Sequence, residues 1–530
     1  MFDIIICNGK IIDGTGSPWF YGDIAVKDNE IAAIGDLHQK EASEIIDAQG
    51  KVIAPGFIDI HSHSDDKFLK DIRAEGKLRQ GVTTEVMGQC GNSIAPLQGP
   101  NRDIVVDELK KEGIKACWES FSEYFNLLQK RGLPVNVVGV VGHGTLRKQV
   151  MGYEARQATE QELSRMKEIL ASALNDGAFG MSSGLIYPPG SYADDHELIE
   201  LLTIVSNYNG IYMTHMENEG DRLIDSLNNT IKVAESAGVK VQISHHKAVG
   251  RSNWGKVSKT LALVDKARQT GVDITMDQYP YTATSTGLVS LLPQEILEGG
   301  RRACLERLTR KEKREKLKKY LRESFEQDRK WSDILIARVK TNHNKDLEGR
   351  TISDIASDWK RDPEEVVMNI LVEEELHCQM IAFSMSEDDV KKVMKSPYVM
   401  IGSDGSSLST KGPLSEGRPH PRNFGTFPRV IGKYARDEKV LSLEEAIWKM
   451  TGFPATRLGL YNRGLLRPGF YADIVVFDQD KIKDMANFDN PCQYPVGIDE
   501  IFINGQRVLQ KGRYNGSLPG QVLKAKSALK

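Results

Sequence analysis

The chain has 530 residues, with 70 Lys and Arg against 73 Asp and Glu, so its formal net charge of −3 favours neither nucleic acid nor an anionic membrane as a partner. This length predicts one large domain and a smaller one. No apolar run approaches the roughly 20 residues of a membrane span, and the start, Met1–Ile4, lacks the basic residues of a secretory signal. The six cysteines have no tight spacing, which argues against a disulfide framework. We therefore expect a reduced, cytoplasmic protein.

Both ends of the chain are patterned as short β-strands. Asn8-Gly9 and Asn504-Gly505 each separate two short apolar runs, and Asn-Gly is a pair that two-residue type I′ turns favour. Each pair therefore predicts a hairpin. Together the two ends predict one small β domain, built from residues 1–55 and 465–530, in which the last dozen residues are expected to be a frayed tail.

The middle of the chain alternates short apolar runs with helix-length amphipathic segments, which is typical of β/α units and a parallel sheet. Eight strands with intervening helices predict a (β/α)8 barrel over residues 56–420, followed by a helical return segment, residues 421–464. The gap between the last two strands is too long for one helix and predicts an insertion at about 288–395. The predicted strands are Phe57–His61, Thr84–Met87, Val135–Val141, Ala178–Met181, Ile211–His215, Val241–Ser244, Asp273–Met276 and Val399–Ser403. The predicted helices include Gln161–Asn175, Glu197–Tyr208, Leu223–Ala237 and Lys256–Thr270.

Part of the insertion is strongly basic. Residues 301–330 contain 13 Lys and Arg against 6 Asp and Glu. Leu317, Leu321 and Phe325 recur at every fourth position, which predicts an amphipathic helix with a basic solvent face. This helix either packs on the barrel or forms a lid that steers an anionic substrate, and the sequence leaves both interpretations open.

Side chains that can bind metals stand where several predicted strands end. His61 and His63 are spaced i, i+2, so on a strand both side chains point to the same side. Active sites of (β/α)8 barrels lie at the C-terminal ends of the strands. The imidazole, thiol and carboxylate groups at these strand ends together offer nitrogen, sulfur and oxygen donors, a combination that suits Zn²⁺. The predicted metal ligands are His61, His63, Cys90, His215, His245 and Asp404.

The motifs around these residues resemble the amidohydrolase superfamily and, within it, the N-acyl-D-amino-acid deacylases (D-aminoacylases). Gly56–His63 is similar to the first-strand signature of the superfamily, and the resemblance covers nearly the whole chain. It implies a (β/α)8 metal-dependent hydrolase barrel with a small β-sandwich domain formed from both chain ends. The other matching stretches are Gly88–Gly91, Gly142–Arg147, Thr214–Glu219, Ile243–Lys247, Asp277–Tyr281, Gly402–Gly405 and Arg418–Arg422.

One departure from the wider superfamily favours the deacylases. Cyclic-amidase relatives use a carboxylated Lys on the fourth strand to bridge two metals, but Ala178–Tyr187 contains no Lys. The deacylases instead use a Cys on the second strand as a ligand, and Cys90 matches that position.

The resemblance also implies a role for each candidate residue. Asp404 is the general base and acid for a water molecule that a zinc ion activates. Position, not the resemblance, indicates the roles of two other histidines: His246, oriented opposite to His245, is expected to support a ligand or to be structural, and His143 to support the metal, polarise the substrate or be structural. The residues implied for a tight zinc site are Cys90, His215 and His245, and those implied for a second, weaker site are His61, His63 and Asp404. The residues implied for the substrate are Lys247 and Tyr279 at its carboxylate and Tyr187 near the scissile amide.

These expectations describe zinc-dependent hydrolysis of N-acyl-D-amino acids to a carboxylate and a D-amino acid, with a small-molecule substrate and neither nucleic acid nor a membrane as a partner. Two alternatives stay open. One is another C–N hydrolase of the superfamily, a cyclic amidase or a dipeptidase, and the other is a non-catalytic scaffold. The preference for the D enantiomer comes from the resemblance alone. The sequence decides neither the preferred side chain nor the oligomeric state nor the occupancy of the second metal site.

Overall fold

The computed structural model describes residues 1–326 and 328–525. Over these residues the strands are β1 (Phe2–Ile11), β2 (Phe20–Lys27), β3 (Glu30–Gly35), β4 (Ala42–Asp47), β5 (Val52–Pro55), β6 (Phe57–Asp59), β7 (Val82–Met87), β8 (Asn136–Gly139), β9 (Val141–Gly142), β10 (Gly180–Gly184), β11 (Ile211–His215), β12 (Lys240–Ile243), β13 (Ile274–Gln278), β14 (Thr284–Gly287), β15 (Ile334–Arg338), β16 (Gln379–Ala382), β17 (Val399–Ile401), β18 (Ile474–Phe477), β19 (Ile498–Ile503), β20 (Gln506–Gln510) and β21 (Arg513–Tyr514). The α-helices are α1 (Lys67–Lys70), α2 (Glu75–Leu78), α3 (Arg102–Lys111), α4 (Phe121–Arg131), α5 (His143–Met151), α6 (Glu160–Asn175), α7 (Asp195–Asn207), α8 (Leu223–Ala237), α9 (Val257–Gln269), α10 (Gln294–Leu297), α11 (Gly300–Thr309), α12 (Lys311–Glu326), α13 (Ile352–Trp359), α14 (Pro363–Glu373), α15 (Glu387–Met394), α16 (Arg422–Arg429), α17 (Leu443–Met450) and α18 (Gly452–Leu458), and a π-helix spans Val430–Asp437.

The two ends of the chain share one sheet, in the order β21-β20-β19-β18-β5-β1-β2-β3, with β4 beside β1. The ends meet where β18 pairs antiparallel with β5, so that Val475 lies opposite Ala54. Ile6, Ile53 and Phe502 are fully buried in a hydrophobic core of this domain. The prediction that both ends build one β domain beside a barrel is confirmed, while its exact boundaries stay a prediction.

The two Asn-Gly pairs have different outcomes. Asn504-Gly505 joins β19 to β20 as predicted, and both residues have the positive φ of such a turn, 49° and 78°. The hairpin predicted at Asn8-Gly9 is wrong, because β1 continues through it. Asn8 has a φ of 56° at an irregularity in the pairing of β1 with β2, and its backbone N–H donates to Oδ1 of Asp23 at 2.9 Å. The bulge absorbs the positive φ without reversing the chain.

The barrel has the eight predicted strand positions, with the third divided into β8 and β9. Strands β6, β7 and β8 pair in parallel, as do β9 to β13 and β17. A parallel bridge between Ser62 and Gly405 joins the first and last strands, and the N–H of Phe179 donates to the carbonyl of Gly139 at 2.9 Å across the other junction. The barrel is therefore closed, and helices α6 to α9 confirm the four helices predicted between its strands.

The insertion has a sheet and a hydrophobic core of its own. Strands β14 and β15 pair antiparallel with β16, so strand pairing begins at Thr284, slightly before the predicted start. Leu317, Leu321 and Phe325 of α12 are buried in this separate core. The amphipathic helix is confirmed, but the interpretation that it packs on the barrel is wrong, because its apolar face is covered by the insertion itself.

The end of the described chain runs along the barrel. The N–H of Gly520 donates to the carbonyl of Leu133 at 2.9 Å, and the N–H of Leu523 donates to that of Val137 at 2.8 Å. The prediction of a frayed tail is therefore wrong up to residue 525, because these hydrogen bonds hold the chain alongside β8 and the residues before it. Residues 526–530 lie outside the described part.

Helices of membrane-spanning length and apolarity do not occur among the residues that the structure describes.

Candidate metal centre

The predicted metal ligands lie together at one end of the barrel because each follows the C-terminal end of a strand. His61 and His63 follow β6, Cys90 follows β7, and Asp404 follows β17, while His215 is the last residue of β11 and His245 comes shortly after β12. Ligand atoms of four of them lie within 4.8 Å of one another. These four are His61, Cys90, His245 and Asp404.

Cys90 lies at the middle of the cluster. Its Sγ is 3.4 Å from Nε2 of His61 and 3.4 Å from Nε2 of His245. The ring of His215 lies beside that of His245, with 4.4 Å between ring centroids. The thiol therefore lies between His245, which the resemblance assigns to the tight site, and His61, which it assigns to the weaker site.

Three residues of this cluster have a left-handed backbone. The φ angles are 53° at Cys90, 35° at His245 and 51° at Asp404. Such angles cost free energy in residues other than glycine and are concentrated at functional sites. The chain turns sharply as each strand ends, and this turn directs the side chain into the barrel mouth.

A glycine makes the turn before Cys90 possible. Gly88 has a φ of 85°, and an added Cβ would lie 2.0 Å from the carbonyl oxygen of Val140. Only a residue without a side chain fits this close approach of β7 to its neighbour.

Asp277 supports two of the ligands from β13. Its Oδ1 accepts a hydrogen bond of 2.7 Å from the backbone N–H of His245 and lies 3.3 Å from Nδ1 of His61. Its other oxygen accepts a hydrogen bond of 2.9 Å from Nε2 of Gln242. This buried carboxylate therefore holds the turn at His245 by a hydrogen bond and lies beside the His61 ring, and groups that surround metal ligands commonly support them in this way.

Asp404 lies between histidines and an arginine. Its Oδ1 is 3.0 Å from Nε2 of His63 and 3.5 Å from Nε2 of His61, and its Oδ2 accepts a hydrogen bond of 2.7 Å from Nη1 of Arg422. Burial alone raises the pKa of Asp404, but Arg422 and His245 outweigh it and hold the pKa well below its ordinary value. Asp404 is therefore a carboxylate at neutral pH.

The thiol and the imidazoles shift one another's pKa in opposite directions. Burial raises the pKa of Cys90, yet the imidazoles of His61 and His245 outweigh it and hold the pKa well below its ordinary value. Burial lowers the pKa of His63, but Asp404 and Cys90 outweigh it and raise the pKa to about 9. The cluster therefore favours a thiolate, the form of Cys that binds metals.

The donor set fits a zinc ion. Thiolate and imidazole are the ligands that zinc prefers, and three protein ligands leave a position open for chemistry. His215 gives an independent sign, because both its ring nitrogens are buried and form no hydrogen bond within the described residues. A buried imidazole without hydrogen bonds costs free energy unless another group binds it.

Two of the three predicted substrate residues contact this cluster. Nζ of Lys247 lies 2.6 Å from Oε1 of Glu219 and 5.6 Å from the ring centroid of Tyr279. The Tyr279 hydroxyl contacts Sδ of Met385 at 3.6 Å. The ring of Tyr187 lies 5.0 Å from that of His215 between centroids. Lys247 and Tyr187 thus lie beside candidate metal ligands, whereas Tyr279 lies beside Lys247.

Two further histidines make hydrogen bonds elsewhere. Nε2 of His143 lies 2.7 Å from Oε1 of Glu197, and Nε2 of His246 lies 2.7 Å from Oγ1 of Thr260. Burial lowers the pKa of His246 to about 4, so its ring is neutral. These contacts agree with structural roles for both residues.

Comparison with known proteins identifies the family. The model of the amidohydrolase family matches residues 44–509. The chain belongs to the amidohydrolase family.

Three relatives within this family are similar over almost their whole lengths. D-aminoacylase of Alcaligenes xylosoxydans xylosoxydans is 37% identical over 98% of this chain and 97% of its own. N-acyl-D-glutamate deacylase of the same organism is 33% identical over 99% of this chain and 97% of its own. The crystal structure of N-acyl-D-glutamate deacylase from Bordetella bronchiseptica, in complex with zinc and a phosphonate inhibitor, is 34% identical and matches 99% of this chain and 100% of that one with a TM-score of 0.83.

The site of this amidohydrolase also contains residues that sequence reasoning missed. These are Glu219, Asp277 and Arg422. Each lies inside a stretch quoted for the resemblance, so the motif was visible. Their contacts were not, because Arg422 belongs to the return segment and reaches Asp404 only in the folded chain.

Proposed function

We propose that this chain hydrolyses the amide bond of N-acyl-D-amino acids with a zinc ion held by Cys90, His215 and His245. The observation that carries the proposal is the position of Cys90 Sγ, 3.4 Å from an imidazole nitrogen of His245, whose ring packs edge-on against that of His215. The full-length similarity to D-aminoacylase and N-acyl-D-glutamate deacylase supports the reaction and the D enantiomer.

Asp404 is the general base and acid in this proposal. A zinc ion bound at the site supplies Lewis acidity, which lowers the pKa of a water molecule and polarises the amide carbonyl. Asp404 accepts the proton of the attacking water and passes it to the departing nitrogen. Its low pKa supports this role, because the group is ionised before the reaction begins.

Lys247 and Tyr279 bind the α-carboxylate of the substrate, and Tyr187 lies near the scissile amide. A product amino acid keeps its carboxylate, which calls for a cation and hydroxyl donors close to the metal. Lys247 is buried only two residues after His245, and the hydroxyl of Tyr187 lies 3.2 Å from Oγ1 of Thr286 at the start of the insertion. Because Lys247 contacts His245 and Tyr187 contacts His215, both side chains lie within reach of a small molecule bound at the proposed metal site.

His61, His63 and Asp404 form the second, weaker site of this proposal. Because Cys90 Sγ is equally close to His61 and His245, the same thiolate can serve both sites. We extend the proposal to a cytoplasmic location and to a small-molecule substrate, with neither nucleic acid nor a membrane as a partner.

A hydrolysis screen with metal analysis tests the function. Purified protein is assayed on N-acetyl amino acids in both enantiomers, with hydantoin and dihydroorotate as cyclic controls, and its zinc content is measured on the same sample. We expect hydrolysis of D substrates and about one tightly bound zinc ion per chain. Activity on the cyclic amides alone contradicts the proposal, and zinc-free protein that stays inert after zinc addition favours a scaffold.

A further inference from the structure

Glu219 lies on a loop that a side-chain turn holds in place. The loop follows β11, and Oδ1 of Asn218 accepts hydrogen bonds from the backbone N–H groups of Gly220 and Arg222 at 2.9 and 3.0 Å. The carbonyl of Glu219 accepts a hydrogen bond of 2.8 Å from the N–H of Val249. The loop is therefore tied to itself and to the chain after β12, which leaves the Glu219 side chain directed inward and only 10% exposed.

One carboxylate oxygen of Glu219 contacts two site residues. Oε1 lies 3.0 Å from Nδ1 of His245 and 2.6 Å from Nζ of Lys247. Its other oxygen lies 3.7 Å from Nε2 of His215. All described ion pairs of this side chain are therefore with residues of the proposed site.

The contact with His245 bears on the tautomer of the ring. Nε2 of His245 faces Cys90 Sγ and must present a lone pair to bind zinc, so the proton of the neutral ring must lie on Nδ1. Nδ1 then donates, and Nζ of Lys247, 2.8 Å away, has only donor hydrogens to offer it. Glu219 Oε1 is the acceptor that suits this tautomer.

We propose that Glu219 is a positioning residue that accepts the Nδ1–H of His245, so that Nε2 faces the zinc site, and that holds the Lys247 ammonium beside it with the same oxygen. Carboxylates that orient metal-binding histidines in this way are recurrent features of metal sites. The inference rests on the proposed zinc site and assigns a role to the contacts of the Glu219 carboxylate with His245 and Lys247.

Zinc affinity measures this role independently of catalysis. The dissociation constant for zinc is measured by competition with a chromophoric chelator for wild type, Glu219→Ala and Glu219→Gln. We expect Glu219→Ala to weaken zinc binding about 10- to 100-fold. Glu219→Gln should recover part of the loss, because its amide oxygen still accepts the Nδ1–H. The melting temperature of the metal-free proteins shows that each variant is folded.

A neighbouring glutamate and a double variant make the test specific. Glu217, two residues earlier, is exposed and pairs with Arg222 at 2.6 Å, so Glu217→Ala should leave zinc affinity unchanged. The double variant Glu219→Ala/Lys247→Met should stay as weak as Glu219→Ala. Recovery of wild-type affinity in the double variant would mean that Glu219 only neutralises Lys247, which overturns the proposal.

Unchanged zinc affinity in Glu219→Ala also overturns it. The failure of the proposed function is a separate result. A wild-type protein that binds zinc but hydrolyses no N-acyl-D-amino acid refutes the reaction, while the zinc affinities still decide the role of Glu219.

Discussion

Arg422 donates a hydrogen bond of 2.7 Å to Oδ2 of Asp404, on the carboxylate oxygen that does not contact His63. The two residues are 18 positions apart, and both are buried. One oxygen of Asp404 is thereby held by a cation, and the other stays directed at the histidines. The pair keeps the proposed base ionised and oriented.

Replacing Asp404 with Asn removes the proposed proton acceptor. We expect kcat to fall about 10²- to 10⁴-fold, which is the usual contribution of a positioned acid or base. Zinc content should stay near the wild-type value, because the tight site does not need Asp404. Near-normal kcat with zinc bound would remove Asp404 from the mechanism.

Replacing Arg422 with Gln should move the acid side of the pH–rate profile. Arg422 lowers the pKa of Asp404, so its removal raises that pKa towards the ordinary value. A higher pKa means that Asp404 becomes protonated at a higher pH as the solution is acidified. The acid limb of the pH profile of kcat/KM should therefore shift to higher pH, even if the maximal value of kcat/KM also changes. Superimposable acid limbs would contradict this electrostatic role.

Replacing Cys90 with Ser should abolish tight zinc binding. A serine hydroxyl does not ionise at neutral pH, whereas the structure favours a thiolate at this position. Zinc content by mass spectrometry and hydrolysis should both fall to background. The matched control is Cys117→Ser, since Cys117 is an exposed free cysteine, and this variant should keep both. Retention of zinc in Cys90→Ser would contradict the tight site.

Replacing Lys247 with Met should raise KM chiefly for substrates with a free carboxylate. The ammonium is buried beside the proposed metal ligands, where it can pair with that group. The comparison is between an N-acyl-D-amino acid and its C-terminal amide. Lys232→Met, at an exposed position on α8, should leave both unchanged. An equal loss on the two substrates would mean that Lys247 acts on something other than the carboxylate.

The positions of the strand ends could be predicted because strands and helices alternate regularly along a (β/α)8 barrel. Apolar runs of strand length alternate with amphipathic helices, and polar residues after such runs collect at one face. His61, Cys90, His215, His245 and Asp404 therefore lie together as expected from sequence position. The Asn-Gly pairs were less informative, because the dipeptide requires positive φ and both a turn and a bulge provide it.

Glutamates 217 and 219 show where sequence reasoning stopped. They are two residues apart in one loop, yet Glu217 is exposed beside Arg222 and Glu219 is largely covered, against His245 and Lys247. Loops lack the periodicity that assigns side chains to a face in strands and helices. The hydrogen bonds of Asn218 and Val249 fix the loop, and the contacts of Glu219 with His245 and Lys247 hold its carboxylate inward.

The sequence by itself determined the (β/α)8 barrel, the β domain built from both ends and the six candidate metal ligands, since each follows from local pattern or from a motif. The tertiary structure decided which of these ligands meet at Cys90, that Arg422 reaches Asp404 and that the apolar face of α12 packs inside the insertion. The physical reason is that hydrogen bonds and ion pairs between distant segments depend on Å-scale distances, and local patterns of hydrophobicity contain no such distances.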